Sequence, residues 1–215
     1  MRYTALVVAA GSGSRVGLGY NKMLYTLKNG NTILEETVQI FQKDENCTQI
    51  IVTASKEDMQ EYMHLISCGK VLLVAGGETR QQSVYQGLLA VKEDYVLIHD
   101  GARPWLPVSC IQNLLDTLRE YQACLLMVKA KDTVKEVEHG VVKNTLKREQ
   151  LYLAQTPQAF HTSLVLECYQ KAQKDAFVAT DDAQIVEYYS NEPVLVVEGS
   201  YENIKVTTIE DLQGR

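Results

Sequence analysis

Short apolar runs alternate with longer segments of helical periodicity along most of this chain. The short runs, which predict buried strands, cover residues 4–9, 49–54, 71–74, 95–99 and 125–128. The longer segments, which carry apolar residues at helical spacing, cover residues 33–41, 58–66, 83–91 and 111–121. Strands that alternate with helices form parallel βαβ units, so we predict an α/β fold, Rossmann-like and doubly wound, with a mostly parallel sheet.

The pattern changes at about residues 129–150, where apolar and charged residues alternate on both sides of His139-Gly140. A turn pair flanked by such alternation predicts a two-stranded β-arm. An isolated hairpin is only marginally stable in water, so we expect this protruding arm to pair with a second copy of the chain. The chain has 215 residues and is 46% hydrophobic, which favours one single domain, 1–215, with the arm inside it.

Composition limits the partners and the compartment. The formal net charge of −6 argues against a surface that coats nucleic acid, so clustered cations are expected to serve small anionic ligands. Five cysteines without a C-x-x-C pair indicate reduced thiols rather than a zinc site. The sequence contains no signal-peptide pattern and no apolar run of about 18 residues, so we expect a cytoplasmic protein without a membrane partner.

A glycine-rich loop with two cations, Arg15 and Lys22, follows the first predicted strand. Glycines let backbone N–H groups approach phosphate oxygens, and the cations balance negative charge. The segment 99–104 also follows a predicted strand, and ligands of open α/β sheets bind beyond the carboxyl ends of the strands. The two segments are therefore expected to line one crevice. The alternative for the loop is a plain turn with exposed cations.

Two common nucleotide motifs are excluded at this loop. A dinucleotide fingerprint requires G-x-G-x-x-G, but Gly17 comes one position late after Gly11 and Gly13. A Walker loop requires Gly-Lys-Ser/Thr, whereas Lys22 lies between Asn21 and Met23. A nicotinamide cofactor and an ATPase are both disfavoured.

The sequence resembles the 2-C-methyl-D-erythritol 4-phosphate cytidylyltransferases, nucleotidyltransferases of isoprenoid precursor synthesis. The resemblance covers essentially the whole chain in nine ordered blocks, which are Ala9 to Arg15, Asn21-Lys22, Gly76 to Val84, His99 to Pro104, Lys131-Asp132-Thr133, Arg148, Gln155 to Gln158, Thr180 to Ala183 and Glu202 to Thr208. One departure is Asn21, where many members have proline, and it concerns the shape of the loop around Lys22.

The resemblance implies a reaction between two anions. A phosphate oxygen of 2-C-methyl-D-erythritol 4-phosphate attacks the α-phosphorus of CTP, which gives 4-diphosphocytidyl-2-C-methyl-D-erythritol and pyrophosphate. Because a phosphate monoester is largely dianionic at neutral pH, the nucleophile needs no general base. The protein must supply alignment and positive charge instead. The implied cofactor is Mg²⁺, bound mainly through the phosphates of CTP, with no protein ligand predicted.

The matching positions imply roles for individual residues. Arg15 and Lys22 would stabilise the transition state, and Arg148 and Lys205 would hold the acceptor phosphate. The residues expected to bind CTP are Ala10, Gly11, Gly13, Gly77, Glu78, Arg80 and Ser83. Those expected to bind the acceptor are Asp100, Arg103, Thr133 and Thr156. In the family the arm crosses to the neighbouring subunit, so Arg148 would complete each site in a homodimer.

Two other functions stay open at this point. A ribitol-5-phosphate cytidylyltransferase would share the glycine loop and differ mostly in the acceptor pocket. A non-catalytic nucleotide-binding module, or a glycosyltransferase-like one, would keep the fold alone. Glycosyltransferases of similar architecture usually carry an Asp-x-Asp motif, whereas here only the adjacent Asp181-Asp182 occurs. Structural alternatives also remain for single residues, such as an Asp100–Arg103 ion pair. His99 is expected to make structural hydrogen bonds.

Overall fold

A computed structural model of the chain describes residues 1–11, 20–66, 68–208 and 210–212. Its main sheet has seven strands in the order β3-β2-β1-β4-β8-β5-β9. The strands are β1 (Tyr3–Val8), β2 (Cys47–Ala54), β3 (Val71–Ala75), β4 (Tyr95–Asp100), β5 (Ala123–Lys129), β8 (Tyr152–His161) and β9 (Val194–Glu198). All neighbouring pairs are parallel except the two that involve β8. The predicted α/β fold with a mostly parallel sheet is confirmed.

Six α-helices in the described part of the chain cover the two faces of this sheet. They are α1 (Ile33–Gln42), α2 (Met59–Ile66), α3 (Arg80–Leu88), α4 (Val108–Thr117), α5 (Thr162–Lys174) and α6 (Asp182–Tyr189). Helices α1, α2 and α4 bury their apolar residues in one core cluster, and α3, α5 and α6 bury theirs in another. Helices on both faces are what a doubly wound sheet requires.

Local sequence determines where α1 and α3 begin. Thr32 caps α1 and exchanges hydrogen bonds with Glu35, while Thr79 caps α3 and exchanges them with Gln82. Such capping boxes satisfy backbone N–H groups that the first helical turn leaves unpaired. The capping box at Thr79 fixes Arg80 as the first residue of α3, directly beside the sheet edge where β4 ends.

Strand β8 is the main element that sequence patterns missed. It lies antiparallel between β4 and β5, and it contains Pro157, a residue that is usually found outside central strands. The register between β5 and β8 shifts between Leu125 and Met127, near this proline. Helix boundaries also differ from the prediction. For example, α4 was predicted over 111–121 and forms at Val108–Thr117. Asp181 caps α6, because its side chain accepts a hydrogen bond from the backbone N–H of Gln184.

The predicted β-arm is present as a separate two-stranded antiparallel sheet. It consists of β6 (Lys135–Glu138) and β7 (Val141–Thr145), joined at His139 and Gly140, both of which have positive φ. Every residue of both strands is exposed. Short 3-10 helices follow the arm at Arg148–Gln150 and elsewhere at Lys22–Leu24 and Glu210–Leu212. No helix among the described residues is long and apolar enough to cross a membrane.

Candidate active site

An open cleft lies at the carboxyl ends of β1 and β4, where the strand order of the sheet reverses. This is the position at which open α/β sheets bind their ligands. The residues that line the cleft are Val8, Ala9, Ala10, Gly11, Lys22, Met23, Gly77, Glu78, Thr79, Arg80, Ser83, Asp100, Ala102 and Lys205. Gly11 and Lys22, at the two described ends of the glycine-rich loop, therefore share a crevice with Asp100 and Ala102.

The turn between β3 and α3 packs closely against the first loop. A Cβ atom added at Gly76 would lie 2.4 Å from the Cβ of Ala10, so only glycine permits this approach. The buried Ser83 holds the same turn, because its Oγ accepts a hydrogen bond from the backbone N–H of Gly77 and donates one to the carbonyl of Thr79. Ser83 is thus a structural support for Gly77 and Glu78 as well as a lining residue.

Asp100, the last residue of β4, is the electrostatic centre of the cleft. Its Oδ1 lies 3.1 Å from Nε of Arg80, and its Oδ2 lies 2.8 Å from Nζ of Lys205 and 3.8 Å from Nε of Arg103. Burial by itself would raise the pKa of this carboxyl, but attraction to Arg80, and then to Lys205 and Arg103, lowers the pKa well below its ordinary value. Asp100 is therefore an anion at neutral pH and accepts hydrogen bonds.

Arg80 joins Asp100 to the start of α6. Its Nη1 and Nη2 donate to both carboxylate oxygens of Asp182, at 2.9 and 2.8 Å. Asp182 is completely buried, and the hydroxyl of Tyr169 on α5 also donates to it. Burial would lower the pKa of Arg80, yet Asp182 and then Asp100 raise it. This bidentate geometry holds the guanidinium in one orientation beside the cleft.

Lys22 begins the 3-10 helix that follows the first loop. Its side chain reaches across the cleft and donates from Nζ to the backbone carbonyl of Val206 at 2.7 Å. The residue is only 8% exposed, which is unusual for a lysine and keeps its charge in a shielded position. Lys22 and Lys205 therefore bring two ammonium groups to one cleft from opposite ends of the chain.

His99 and Thr156 hold the backbone of Asp100 through a chain of hydrogen bonds. The backbone N–H of Asp100 donates to Oγ1 of Thr156 at 3.0 Å, and that oxygen lies 3.1 Å from Nδ1 of His99. The other ring nitrogen, Nε2, lies 3.1 Å from the carbonyl of Arg103, which can only accept, so Nε2 carries the proton. Burial lowers the pKa of His99 to about 4. The neutral ring makes structural hydrogen bonds, as the sequence led us to expect.

The sequence-predicted residues fall into four groups. Nine of them line the cleft, namely Ala10, Gly11, Lys22, Gly77, Glu78, Arg80, Ser83, Asp100 and Lys205. Arg103 and Thr156 contact Asp100 without lining the cleft. Thr133 and Arg148 are exposed, outside the cleft of their own chain, and Nη1 of Arg148 donates to the carbonyl of Lys131 at 3.2 Å. Gly13 and Arg15 lie outside the described residues.

Known proteins match this chain over its full length. The family model for 2-C-methyl-D-erythritol 4-phosphate cytidylyltransferase matches residues 3–214. The chain belongs to this cytidylyltransferase family. The relative from Bacillus mycoides, named 2-C-methyl-D-erythritol 4-phosphate cytidylyltransferase, is 45% identical over 98% of this chain and 94% of its own. A relative with the same name from Geobacillus kaustophilus is 40% identical over 99% of this chain and 94% of its own.

Solved structures of the cytidylyltransferase family have the same fold. The 4-diphosphocytidyl-2C-methyl-D-erythritol synthase from Anaerococcus prevotii aligns with a TM-score of 0.88 at 33% identity, covering 98% of this chain and 92% of its own. The 2-C-methyl-D-erythritol 4-phosphate cytidylyltransferase from Francisella tularensis aligns with a TM-score of 0.85 at 32% identity, covering 99% and 97%. The resemblance inferred from the sequence is therefore confirmed.

Sequence reasoning missed two residues that matter to the geometry of this cytidylyltransferase site. Asp182 lies within a recognised block, Thr180 to Ala183, but its partner Arg80 is 102 positions away. Tyr169 lies in α5 and gives no local signal of a polar role, because its ring simply continues an apolar helical face. A buried carboxylate at a helix start, together with an arginine at the start of another helix, is the feature that could have suggested the pair.

Proposed function

We propose that this chain transfers the cytidylyl group of CTP to 2-C-methyl-D-erythritol 4-phosphate as a homodimer that uses Mg²⁺. Membership of the cytidylyltransferase family supports the reaction. The observation that carries the mechanism is the cleft itself, where Arg80 and Lys205 pair with the carboxylate of Asp100 at the strand ends and Lys22 lines the same cleft. Such a site favours two anionic substrates that must approach each other.

Charge repulsion is the barrier that these residues reduce. The acceptor phosphate is already a nucleophile at neutral pH, so no proton needs to be removed from it. Its oxygen attacks the α-phosphorus of CTP while the bond to the bridging oxygen of pyrophosphate breaks, and the electron pair leaves with pyrophosphate. Lys22, and Arg15 by resemblance, stabilise charge that grows on the phosphoryl oxygens during this step.

The cleft also orients the acceptor. We assign the carboxylate of Asp100 to the hydroxyls of the methylerythritol chain, because it is anionic and its oxygens keep further lone pairs beyond those used by Arg80 and Lys205. Lys205 lies beside Asp100 and would hold the acceptor phosphate. Gly11, Gly77 and Glu78 line the part of the cleft that we assign to the nucleotide.

The divalent cation fits this site if the phosphates provide most of its ligands. Among residues 1–11, 20–66, 68–208 and 210–212, no three His, Cys, Asp or Glu side chains are grouped to hold a metal. The cleft carboxylate Asp100 is already bound by cations. Mg²⁺ commonly keeps several waters and binds through substrate phosphates, where it neutralises charge.

The dimer completes the acceptor site in this proposal. The arm exposes Val137, Val141 and Val142 by 55%, 67% and 56%, which leaves apolar side chains for a second copy to cover. Thr133 and Arg148 border this arm and are exposed in the single chain. We assign both residues to the acceptor site of the neighbouring subunit. We also propose a cytoplasmic location, which the five free thiols support.

Pyrophosphate release tests the reaction directly. The purified chain is incubated with CTP, Mg²⁺ and either 2-C-methyl-D-erythritol 4-phosphate or ribitol 5-phosphate, and the other nucleoside triphosphates are run in parallel. We expect turnover with CTP and the methylerythritol acceptor, and loss of turnover when the metal is chelated. Preference for ribitol 5-phosphate would overturn the proposed acceptor, and turnover with neither would overturn the function.

A further inference from the structure

The side chain of Asn21 connects three parts of the chain around the cleft. Its Nδ2 donates to Oδ2 of Asp58 at 2.6 Å and to the carbonyl of Gly11 at 3.1 Å. Its Oδ1 accepts a hydrogen bond from the backbone N–H of Met23 at 3.1 Å. Asn21 is only 8% exposed, so these bonds are shielded from competing water.

The partners of Asn21 are themselves held in place. Oδ2 of Asp58 also accepts from Oγ of Ser55 at 2.7 Å, just before α2 begins. Tyr62 on α2 is completely buried, lies 3.2 Å from Nδ2 of Asn21, and donates its hydroxyl proton to the carbonyl of Ala9 at 3.1 Å. The amide group of Asn21 is thus fixed against α2, a rigid element outside the cleft.

Two residues that line the cleft depend on this amide. Gly11 is where the chain enters the first loop, and Lys22 is where it leaves, ten intervening residues later. Asn21 ties its own position to Gly11 and caps the 3-10 helix that carries Lys22. Asn21 itself does not line the cleft. It acts on the reaction only through the residues that it holds.

We infer that Asn21, anchored to Asp58, is a positioning residue that sets where Lys22 and the backbone of Gly11 stand relative to the phosphates of CTP. This inference rests on the proposed function. A displacement of about 1 Å in a catalytic group can cost as much as about 100-fold in rate, so the anchor should affect kcat more than substrate affinity. The acceptor side is held separately by Arg80, Arg103 and Lys205 around Asp100.

The test compares Asn21→Ala with Asn31→Ala in steady-state assays with CTP and 2-C-methyl-D-erythritol 4-phosphate. Asn31 is the matched control, because its amide also donates to a carboxylate, Glu36, at 2.8 Å but lies outside the cleft. For Asn21→Ala we expect kcat to fall about 30-fold, while the KM for the acceptor and the Kd for CTP change less than about fivefold. For Asn31→Ala we expect kcat within about twofold of wild type.

A paired exchange separates positioning from folding. Asn21→Asp places a second carboxylate against Asp58, so kcat should fall at least as far as in Asn21→Ala. Adding Asp58→Asn removes the repulsion and supplies an N–H donor to position 21, and we expect kcat to recover at least about fivefold over Asn21→Asp alone. Thermal unfolding of each variant identifies any that fails to fold.

The outcomes distinguish a failure of this inference from a failure of the proposed function on which it rests. An inactive wild-type chain would overturn the proposed function. An active wild type with undiminished kcat in Asn21→Ala would overturn the inference alone. The inference is equally wrong if the loss in Asn21→Ala appears wholly as a higher KM for the acceptor, or if the paired exchange recovers nothing although both variants are folded.

Discussion

The cleft and the arm differ in the burial of their charged side chains. In the cleft, Asp100 and Asp182 are buried and each is bound by cations from the same chain. On the arm, every residue of β6 and β7 is exposed, and its ion pair between Lys143 and Glu138 is half exposed. The ion pairs of these two carboxylates therefore form within one chain. The arm presents side chains that only another molecule can cover.

The buried ion pairs therefore stabilise the fold, whereas the exposed arm is the part that we assign to completing the acceptor site. The ion pairs of the cleft hold α3, α6 and the end of β4 together, so they serve stability and positioning at once. The base of the arm contacts the rest of its own chain, for example where Nζ of Lys131 lies 3.5 Å from the ring centroid of Tyr201. Substitutions in the cleft should thus affect a single chain, whereas those on the arm should act through the proposed dimer.

Replacement of Lys22 should have the largest effect. Lys22→Ala removes the shielded ammonium group that we assign to the transition state, and we expect kcat to fall about 1,000-fold. Lys92→Ala, which changes an exposed lysine outside the cleft, is the control and should keep normal kcat. Steady-state kinetics measure the effect, and size-exclusion chromatography should show the same oligomeric state. Near-normal turnover in folded Lys22→Ala would remove this residue from the transition state.

Loss of the buried carboxylate should have an intermediate effect. Asp182→Asn leaves Arg80 without its bidentate anion, so we expect the free energy of unfolding to fall by about 2 kcal/mol. The freed guanidinium no longer orients Asp100, and kcat/KM for the acceptor should fall about tenfold. On the arm, Glu138→Gln breaks an exposed pair and should change the free energy of unfolding by less than about 0.5 kcal/mol. Urea denaturation measures both changes. An equal loss of unfolding free energy in Asp182→Asn and Glu138→Gln would contradict the difference between the buried cleft and the exposed arm.

The pH dependence of stability should report on His99, the buried histidine that precedes Asp100. Burial lowers the pKa of His99 to about 4 in the folded protein, whereas an unfolded histidine has a pKa of about 6.5. Between these values the unfolded chain binds one more proton, so stability falls as pH decreases through this window. From pH 7 to pH 5 we expect the free energy of unfolding to drop by about 2 kcal/mol from this residue.

The variant His99→Gln checks that assignment. It removes the titrating ring, so the slope between pH 7 and pH 5 should flatten by about the same 2 kcal/mol relative to wild type. Urea denaturation at both pH values provides the measurement. A variant that is destabilised equally at both, with an unchanged slope, would assign the pH dependence to other groups.

Much of the fold could be predicted because local patterns and sheet topology agree. Alternation of strands and helices predicted the parallel sheet, and a turn pair within alternating residues predicted the arm. Strand β8 was missed because Pro157 and neighbouring polar residues mask a buried antiparallel strand. That segment is extended because β4 and β5 pair with it on both sides. No local pattern in its sequence indicates this pairing.

The site was predictable where chemistry lies in short blocks, and less so where it depends on distant contacts. Lys22, Asp100 and Lys205 follow from blocks that resemble the family, and the structure brings them to one cleft. The pair of Arg80 with Asp182 joins positions 102 apart, so no local spacing indicates it. Spacing in the sequence also does not reveal that Asn21 bonds to Asp58, 37 positions away, just before α2.

In the proposed dimer, the arm of one chain completes the cleft of the other. Differently tagged Lys22→Ala and Arg148→Ala chains are co-expressed, and the doubly tagged dimers are purified and assayed. In such a dimer, the cleft with an intact Lys22 also receives an intact Arg148 from the partner subunit. We therefore expect about half of the wild-type activity per dimer, far above either parent. Doubly tagged dimers no more active than the parents would contradict completion of the site by the partner.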